Sequence, residues 1–264
     1  MRKKNVLYVS IAAMDLLVII LAIGIISDNW KKHNVPETET ELENKIKSEE
    51  TIAAIQNVAA GTVVNVSEVP REELARLFYD TGITREVLAR IDGVSYKDNI
   101  SLDELRYARV LYMGTDGNNH VGELIVNQSI AKDIEDIMKE LYWNQYPIGQ
   151  MVLVDNYGGD DETSMSANNT SAFNCREITG GKQLSKHAFG LAIDVNPLYN
   201  PYCKMMTDGS VRCEPEAGRC YLDRSQNIPY KIDETDLCYQ LFVERGFTWG
   251  GSWSGVKDYQ HFEK

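Results

Sequence analysis

The stretch Ser185-Lys186-His187-Ala188-Phe189-Gly190-Leu191-Ala192-Ile193-Asp194 sets an imidazole and a carboxylate on either side of a glycine. His187 and Asp194 are seven residues apart, an odd separation that would point them to opposite faces of one straight strand. They meet only if the chain bends between them, and Gly190 is the residue that permits the bend. Asp194 then lies on a strand from Leu191 to Val195, facing a pocket, while Ile193 and Val195 face the core. A second stretch, Asp258-Tyr259-Gln260-His261-Phe262-Glu263, adds an imidazole three residues after a carboxylate. One turn places that pair on the same side. Two histidines, one carboxylate and an open fourth position form a catalytic zinc site, and a further carboxylate serves as its base.

Upstream of these stretches, Tyr107 to Met113 and Val121 to Val126 read as strands joined by the turn Asp116-Gly117-Asn118-Asn119. Ser129 is placed to cap a helix whose stripe is Ile130, Ile134, Ile137, Met138 and Leu141. Met151 to Val154 reads as a strand, and 155–169 as a long polar loop. Asp233 to Arg245 has helical spacing and Gly246 as a stop, followed by a short strand, Phe247 to Trp249. This order predicts an α+β domain with a small, mostly antiparallel sheet flanked by helices. Before it, Pro70 opens a short helix ending near Gly82, and Thr84 to Ile91 forms another. The expected boundaries are an anchor at 1–28, a stalk at 29–66, a helical lead-in at 67–104 and the main domain at 105–264.

The N-terminus begins with Met1-Arg2-Lys3-Lys4, and Val6 to Ser27 is almost wholly apolar. A helix of that length spans roughly 33 Å, enough for a bilayer core. The basic flank predicts a cytoplasmic N-terminus and a catalytic part outside the cell membrane, held by a single pass. Asp15 interrupts the apolar run; it reads as a protonated or snorkelling residue, or as the contact for a polar partner helix. Cleavage after the run, as in a signal peptide, is the other reading of this segment. The net charge of −12 argues against nucleic acid as a partner, because phosphate binding needs a basic face. Five cysteines, Cys175, Cys203, Cys213, Cys220 and Cys238, suit an exported chain, with one disulfide expected within 203–220. His120, between a turn and a strand, reads as a hydrogen-bonded structural residue.

Ser185-x-His187-x-x-Gly190-x-Ala192-x-Asp194 followed by Asp258-x-x-His261 resembles peptidase family M15, the zinc peptidases of bacterial cell-wall metabolism. That family includes vancomycin-resistance D-alanyl-D-alanine peptidases and phage-type endolysin peptidases. Trp249-Gly250-Gly251-Ser252-Trp253 and the ending Asp258-x-x-His261-Phe262-Glu263 resemble one of its branches. The resemblance implies a hedgehog-like, DD-peptidase-like fold and a Zn2+ held by His187, Asp194 and His261. It implies Asp258 as general base and Arg176 as the cation that polarises the scissile carbonyl. It implies Ser185 as a substrate contact, while Trp249 and Trp253 are candidate walls of the groove. The expected activity is D-alanyl-D-alanine carboxypeptidase on peptidoglycan stem peptides. The alternatives are an endopeptidase of the L-alanyl-D-glutamate type and, from another class, a non-catalytic wall-binding or scaffold protein that keeps the fold.

Overall fold

The computed structural model describes residues 39–178 and 181–264. The apolar segment 6–27, with Asp15, lies outside the described residues. Among those described, no helix is long and apolar enough to cross a membrane. The chain divides into two units, Met1–Ile46 and Lys47–Lys264. Of the first unit only the opening turns of helix α1 (Glu39–Gln56) are described.

In the second unit the remainder of α1 buries Ile52 and Ile55. Short helix α2 (Arg71–Leu74) begins after Pro70 and tightens into a single turn, Ala75–Leu77. The chain then forms strand β1 (Tyr79–Gly82) where the sequence predicted the end of a helix. Helix α3 (Arg85–Ile91) starts at Thr84, whose hydroxyl accepts from Val87 N–H. Strands β2 (Leu105–Gly114) and β3 (Asn119–Asn127) form the long antiparallel hairpin. β1 adds to β2 antiparallel, and β4 (Pro147–Ile148) adds to its other end in parallel.

Helix α4 (Ala131–Trp143) packs across this sheet through Ile134, Ile137, Met138 and Leu141, all buried. Its apolar stripe is as the sequence predicts, but Ser129 is not its cap. Asn127 Oδ1 accepts both the Ser129 amide, at 3.0 Å, and its hydroxyl, at 2.7 Å, so the helix starts later. The polar segment 155–169 is not a loop throughout. A turn at Val154–Tyr157 leads into it, and it contains helix α5 (Asp161–Ser166), capped by Asp160 accepting from Thr163 N–H at 2.8 Å. Met151 to Leu153 runs irregularly instead of forming the expected strand, with the Met151 carbonyl accepting from Glu123 N–H.

The expected boundaries at 66/67 and 104/105 fall inside one core. Ile52, Ile55, Val69, Leu74, Leu77 and Phe78 are buried in the same cluster as the α4 stripe and Phe262. Burial of that much apolar surface is the dominant force joining these segments. A charged tie adds direction. Glu123 on β3 is 1% exposed and holds the Arg90 guanidinium of α3 at 2.6 and 2.8 Å, with Tyr107 donating to it at 2.6 Å. A buried carboxylate is tolerated when fully paired in this way.

Two further sheets occur among the described residues. In one, β5 (Ala192–Asp194), β10 (His261–Glu263) and β8 (Thr248–Trp249) lie in that order, β10 in the middle. In the other, the hairpin of β6 (Tyr202–Met205) and β7 (Val211–Glu214) pairs through β6 with β9 (Val256–Asp258). Helix α6 (Leu237–Glu244), capped by Asp236, buries Cys238 and Phe242 beneath them. All five cysteines are free thiols. The disulfide expected within 203–220 is not formed: Cys203 and Cys213 face each other across the hairpin, and the Cys213 thiol donates to the Pro215 carbonyl.

Candidate metal centre

A short turn, Lys186–Phe189, carries His187. Ser185 caps it, its hydroxyl accepting from His187 N–H at 3.3 Å. Gly190 then takes φ +66°, and the chain enters β5. This is the bend that the odd spacing requires. A Cβ at Gly190 would lie 2.6 Å from the Asn127 backbone nitrogen, so the position demands glycine for space as well as for torsion.

β5 and β10 pair so that His261 stands directly opposite Asp194, and Phe262 opposite Ile193. Side chains alternate along a strand, and directly opposed residues share a face. Asp194 and His261 therefore occupy one face, and Ile193 and Phe262 fill the core on the other, fully buried. Asp258 and His261 are not on one helical turn as expected. They end and begin two strands, β9 and β10, of different sheets, joined by a tight connection through Tyr259 and Gln260. Gly250 allows this corner to close, since a Cβ there would meet Asp258 O at 2.6 Å and His261 Cβ at 3.3 Å.

The result is a compact donor set. His187 Nε2 lies 3.1 Å from His261 Nδ1, Asp194 Oδ1 2.9 Å from that same Nδ1, and Asp194 Oδ2 3.2 Å from His187 Nε2. All three side chains are buried and each offers a ligand atom within 4.8 Å of the others. The outward nitrogens are also engaged. His187 Nδ1 lies 2.5 Å from the Ala172 carbonyl, and His261 Nε2 lies 3.3 Å from Glu263 Oε2.

The Ala172 carbonyl only accepts, so His187 Nδ1 carries a proton and its Nε2 turns a lone pair inward, whereas His261 has a carboxylate on each side and binds a metal through Nδ1 only when that nitrogen is bare. Two imidazole nitrogens converging beside a carboxylate are the donor arrangement that a cation takes in place of a proton. For Zn–N bonds of 2.0–2.1 Å in tetrahedral geometry, the two nitrogens stand about 3.3 Å apart, and the observed 3.1 Å fits. The donor set of two imidazoles and one carboxylate also fits zinc.

A cavity of about 720 Å³ opens over this set, lined among others by Arg176, Ser185, Trp253, Asp258 and Glu263. Burial pushes the Asp258 carboxyl up to about 7; His261 and Arg176 oppose the rise and Asp194 adds to it. Its Oδ1 has no hydrogen-bond partner among the described residues. Burial works against charging His261, but hydrogen bonds to Asp194 and Glu263 outweigh it and raise its pKa. Arg176 pairs with Asp161 at the start of α5, and Asn174 also donates to Asp161 at 2.9 Å.

Of the candidate residues, Trp249 does not reach the cavity. It belongs to the core, 7% exposed, packed on Tyr239 and donating its indole N–H to the Tyr259 carbonyl. Trp253 does reach the cavity, its ring 5.3 Å from that of His261. Ser185 is both cap and wall. His120 lies apart, hydrogen-bonded to Gly61 and Asp116.

Sequence reasoning assigned no role to Glu263 or Asp161. Glu263 had a signal: alternation on a strand puts a carboxylate two residues from a ligand histidine on the same face. Asp161 had none beyond its place in the long polar segment.

Two imidazoles, a carboxylate and a separate half-buried carboxylate lining one cavity are the kind of donor set that a mononuclear metallohydrolase uses. Residues 179–264 match the family model described as D-alanyl-D-alanine carboxypeptidase, which supports the resemblance of this part of the chain to peptidase family M15. All of the ligand set lies within that match. At the level of family it supports a peptidase that acts on peptidoglycan. No curated protein and no solved structure is similar enough to the chain to count as a match.

Proposed function

We propose that the protein is a zinc-dependent D-alanyl-D-alanine carboxypeptidase acting on peptidoglycan stem peptides. In this reading the apolar segment 6–27 anchors it in the bacterial membrane with the catalytic unit outside. The observation that carries the reading is the convergence of His187 Nε2, His261 Nδ1 and the Asp194 carboxylate beneath a cavity that Asp258 and Arg176 also line.

Zinc, when bound by these three residues, supplies a Lewis acid and brings the pKa of water towards about 7. The chain's own groups do the rest. Asp258 accepts the proton of the attacking water and returns it to the leaving amine. Desolvation in the half-buried site raises its basicity above that of an exposed aspartate. Arg176, steadied by Asp161, supplies positive charge where the oxyanion develops on the scissile carbonyl. Trp253 and Ser185 wall the site and limit the water around the reacting bond.

The test incubates the zinc-loaded protein with purified muropeptides ending in D-alanyl-D-alanine and follows products by mass spectrometry. Release of one D-alanine is expected. Cleavage within the stem would replace this reading with the endopeptidase one, and absence of any product would leave a binding or scaffold protein. Asp258→Ala is expected to retain zinc and lower turnover by about 10²–10⁴-fold. Turnover at the wild-type rate would remove Asp258 from the role of base.

A further inference from the structure

We propose that Glu263 sets the tautomer of His261 and thereby its readiness to bind metal. The proposal rests on the zinc reading above but not on any particular substrate.

Both ligand histidines have acceptors on both sides of the ring, but His261 alone of the two has a carboxylate on each side. Asp194 Oδ1 lies 2.9 Å from Nδ1, and Glu263 Oε2 lies 3.3 Å from Nε2. The metal-binding form of an imidazole is neutral and carries one proton, and each carboxylate draws that proton to its own side. If the proton sits on Nδ1, the nitrogen that faces His187 and Asp194 has no lone pair to offer. If it sits on Nε2, Nδ1 is free to bind. Asp194 taken alone favours the wrong form. Glu263 is the opposing acceptor, and its pull leaves Nδ1 bare. His187 needs no such device, because the Ala172 carbonyl at 2.5 Å already takes its Nδ1 proton.

The strand makes the arrangement automatic. His261 and Glu263 are alternate residues of β10 and share a face, while Phe262 between them is fully buried on the other. Glu263 pairs with Ala192 and Thr248 through its backbone, so changing its side chain leaves the ladder in place. Partners of this kind on a ligand histidine change metal affinity by 10–100-fold when removed.

The experiment measures zinc affinity of the full chain by competition with a chromogenic chelator, alongside muropeptide turnover at saturating zinc. Glu263→Ala is expected to weaken zinc binding about 10–100-fold. Glu263→Gln, which keeps a carbonyl acceptor, is expected to recover most of the loss. Glu263→Met, similar in volume and without a strong acceptor, substitutes if the alanine variant fails to fold. Zinc affinity unchanged in Glu263→Ala, or lost equally in Glu263→Gln, overturns the proposal, whatever happens to turnover. A wild-type protein that binds zinc but cleaves no muropeptide removes the carboxypeptidase reading and leaves this one standing.

Discussion

Replacing Gly190 by alanine tests whether the bend between the two halves of the ligand stretch is held by close contact or only by torsion. Gly190 has φ +66°, which costs an alanine about 1–2 kcal/mol. The new Cβ would also sit 2.6 Å from Asn127 N and 3.0 Å from Val126 C, both backbone atoms that cannot rotate away. Relief requires the turn to lift off β3. That endangers the Asn127 N–H to Gly190 carbonyl bond at 2.8 Å, a net loss of about 0.5–1.5 kcal/mol. The sum is about 1.5–3.5 kcal/mol. Gly209, at the tip of the β6–β7 hairpin, separates the two terms. It has φ +83° and nothing within 4 Å of where a Cβ would stand, so Gly209→Ala carries only the torsional cost of about 1–2 kcal/mol. Urea unfolding of the zinc-free variants gives both numbers, with m-values checked for constancy. Because the turn carries His187, Gly190→Ala should also weaken zinc binding while Gly209→Ala leaves it alone. Equal destabilisation by the two substitutions, with equal zinc affinity, would refute the close-contact account of the bend.

Trp249→Ala should cost about 3–5 kcal/mol, because the ring is part of the core, whereas Trp253→Ala should stay within about 1 kcal/mol and instead lower turnover; reversed costs in thermal melts would contradict the placement of the two rings. Burial pushes the Asp236 carboxyl up to about 6 from 3.8, with the Tyr146 hydroxyl and backbone amides opposing. The folded state therefore keeps a proton that the unfolded state releases, so this group's contribution is fully present below about pH 4 and is lost as pH rises through about 6, by at most about 3 kcal/mol. Asp236→Asn still caps α6 and should flatten that fall between pH 4 and 8 in urea midpoints; an unchanged difference from wild type across the range would show that Asp236 does not titrate this way.

What the sequence revealed of the fold divides along a physical line. The α4 stripe and the β2–β3 hairpin were legible because many residues repeat one period and face one core. Segments whose order comes from a few polar contacts were not. Helix α5 lies in a run of Asp, Ser, Thr and Asn, and it forms because Asp160 caps it and Met165 and Ser164 turn inward. β1 was hidden because Gly82 reads equally well as a helix stop and as the end of an edge strand. The lead-in segments looked like a separate piece since each is short, yet their scattered apolar residues join the core of the main sheet. Within the site, the ligand residues stood out by type and spacing. The roles of Trp249 and Trp253 did not separate, because a tryptophan in a wall and one in a core look alike until the register of β8 is known.

The placement of the donor set on the middle strand of its sheet links metal binding to folding. β10 is paired on both sides, by β5 and β8, and its inner residue Phe262 stacks on Phe242 of α6 at 4.3 Å between ring centroids. The same strand that carries His261 is thus fixed by the core, and the register that fixes Phe262 opposite Ile193 also fixes His261 opposite Asp194. A one-residue slip would turn the ligands into the core and the phenylalanine into the cavity. Hydrophobic burial therefore brings together groups that compete for a proton without a cation: two imidazole nitrogens 3.1 Å apart and a buried carboxylate. A ligand that binds only the folded state stabilises it by mass action. The zinc-free unit should accordingly be the less stable form, with the deficit originating at β5 and β10, and zinc should raise its melting temperature in proportion to the logarithm of free metal. A melting temperature indifferent to zinc would mean that these three side chains hold no metal in the folded protein.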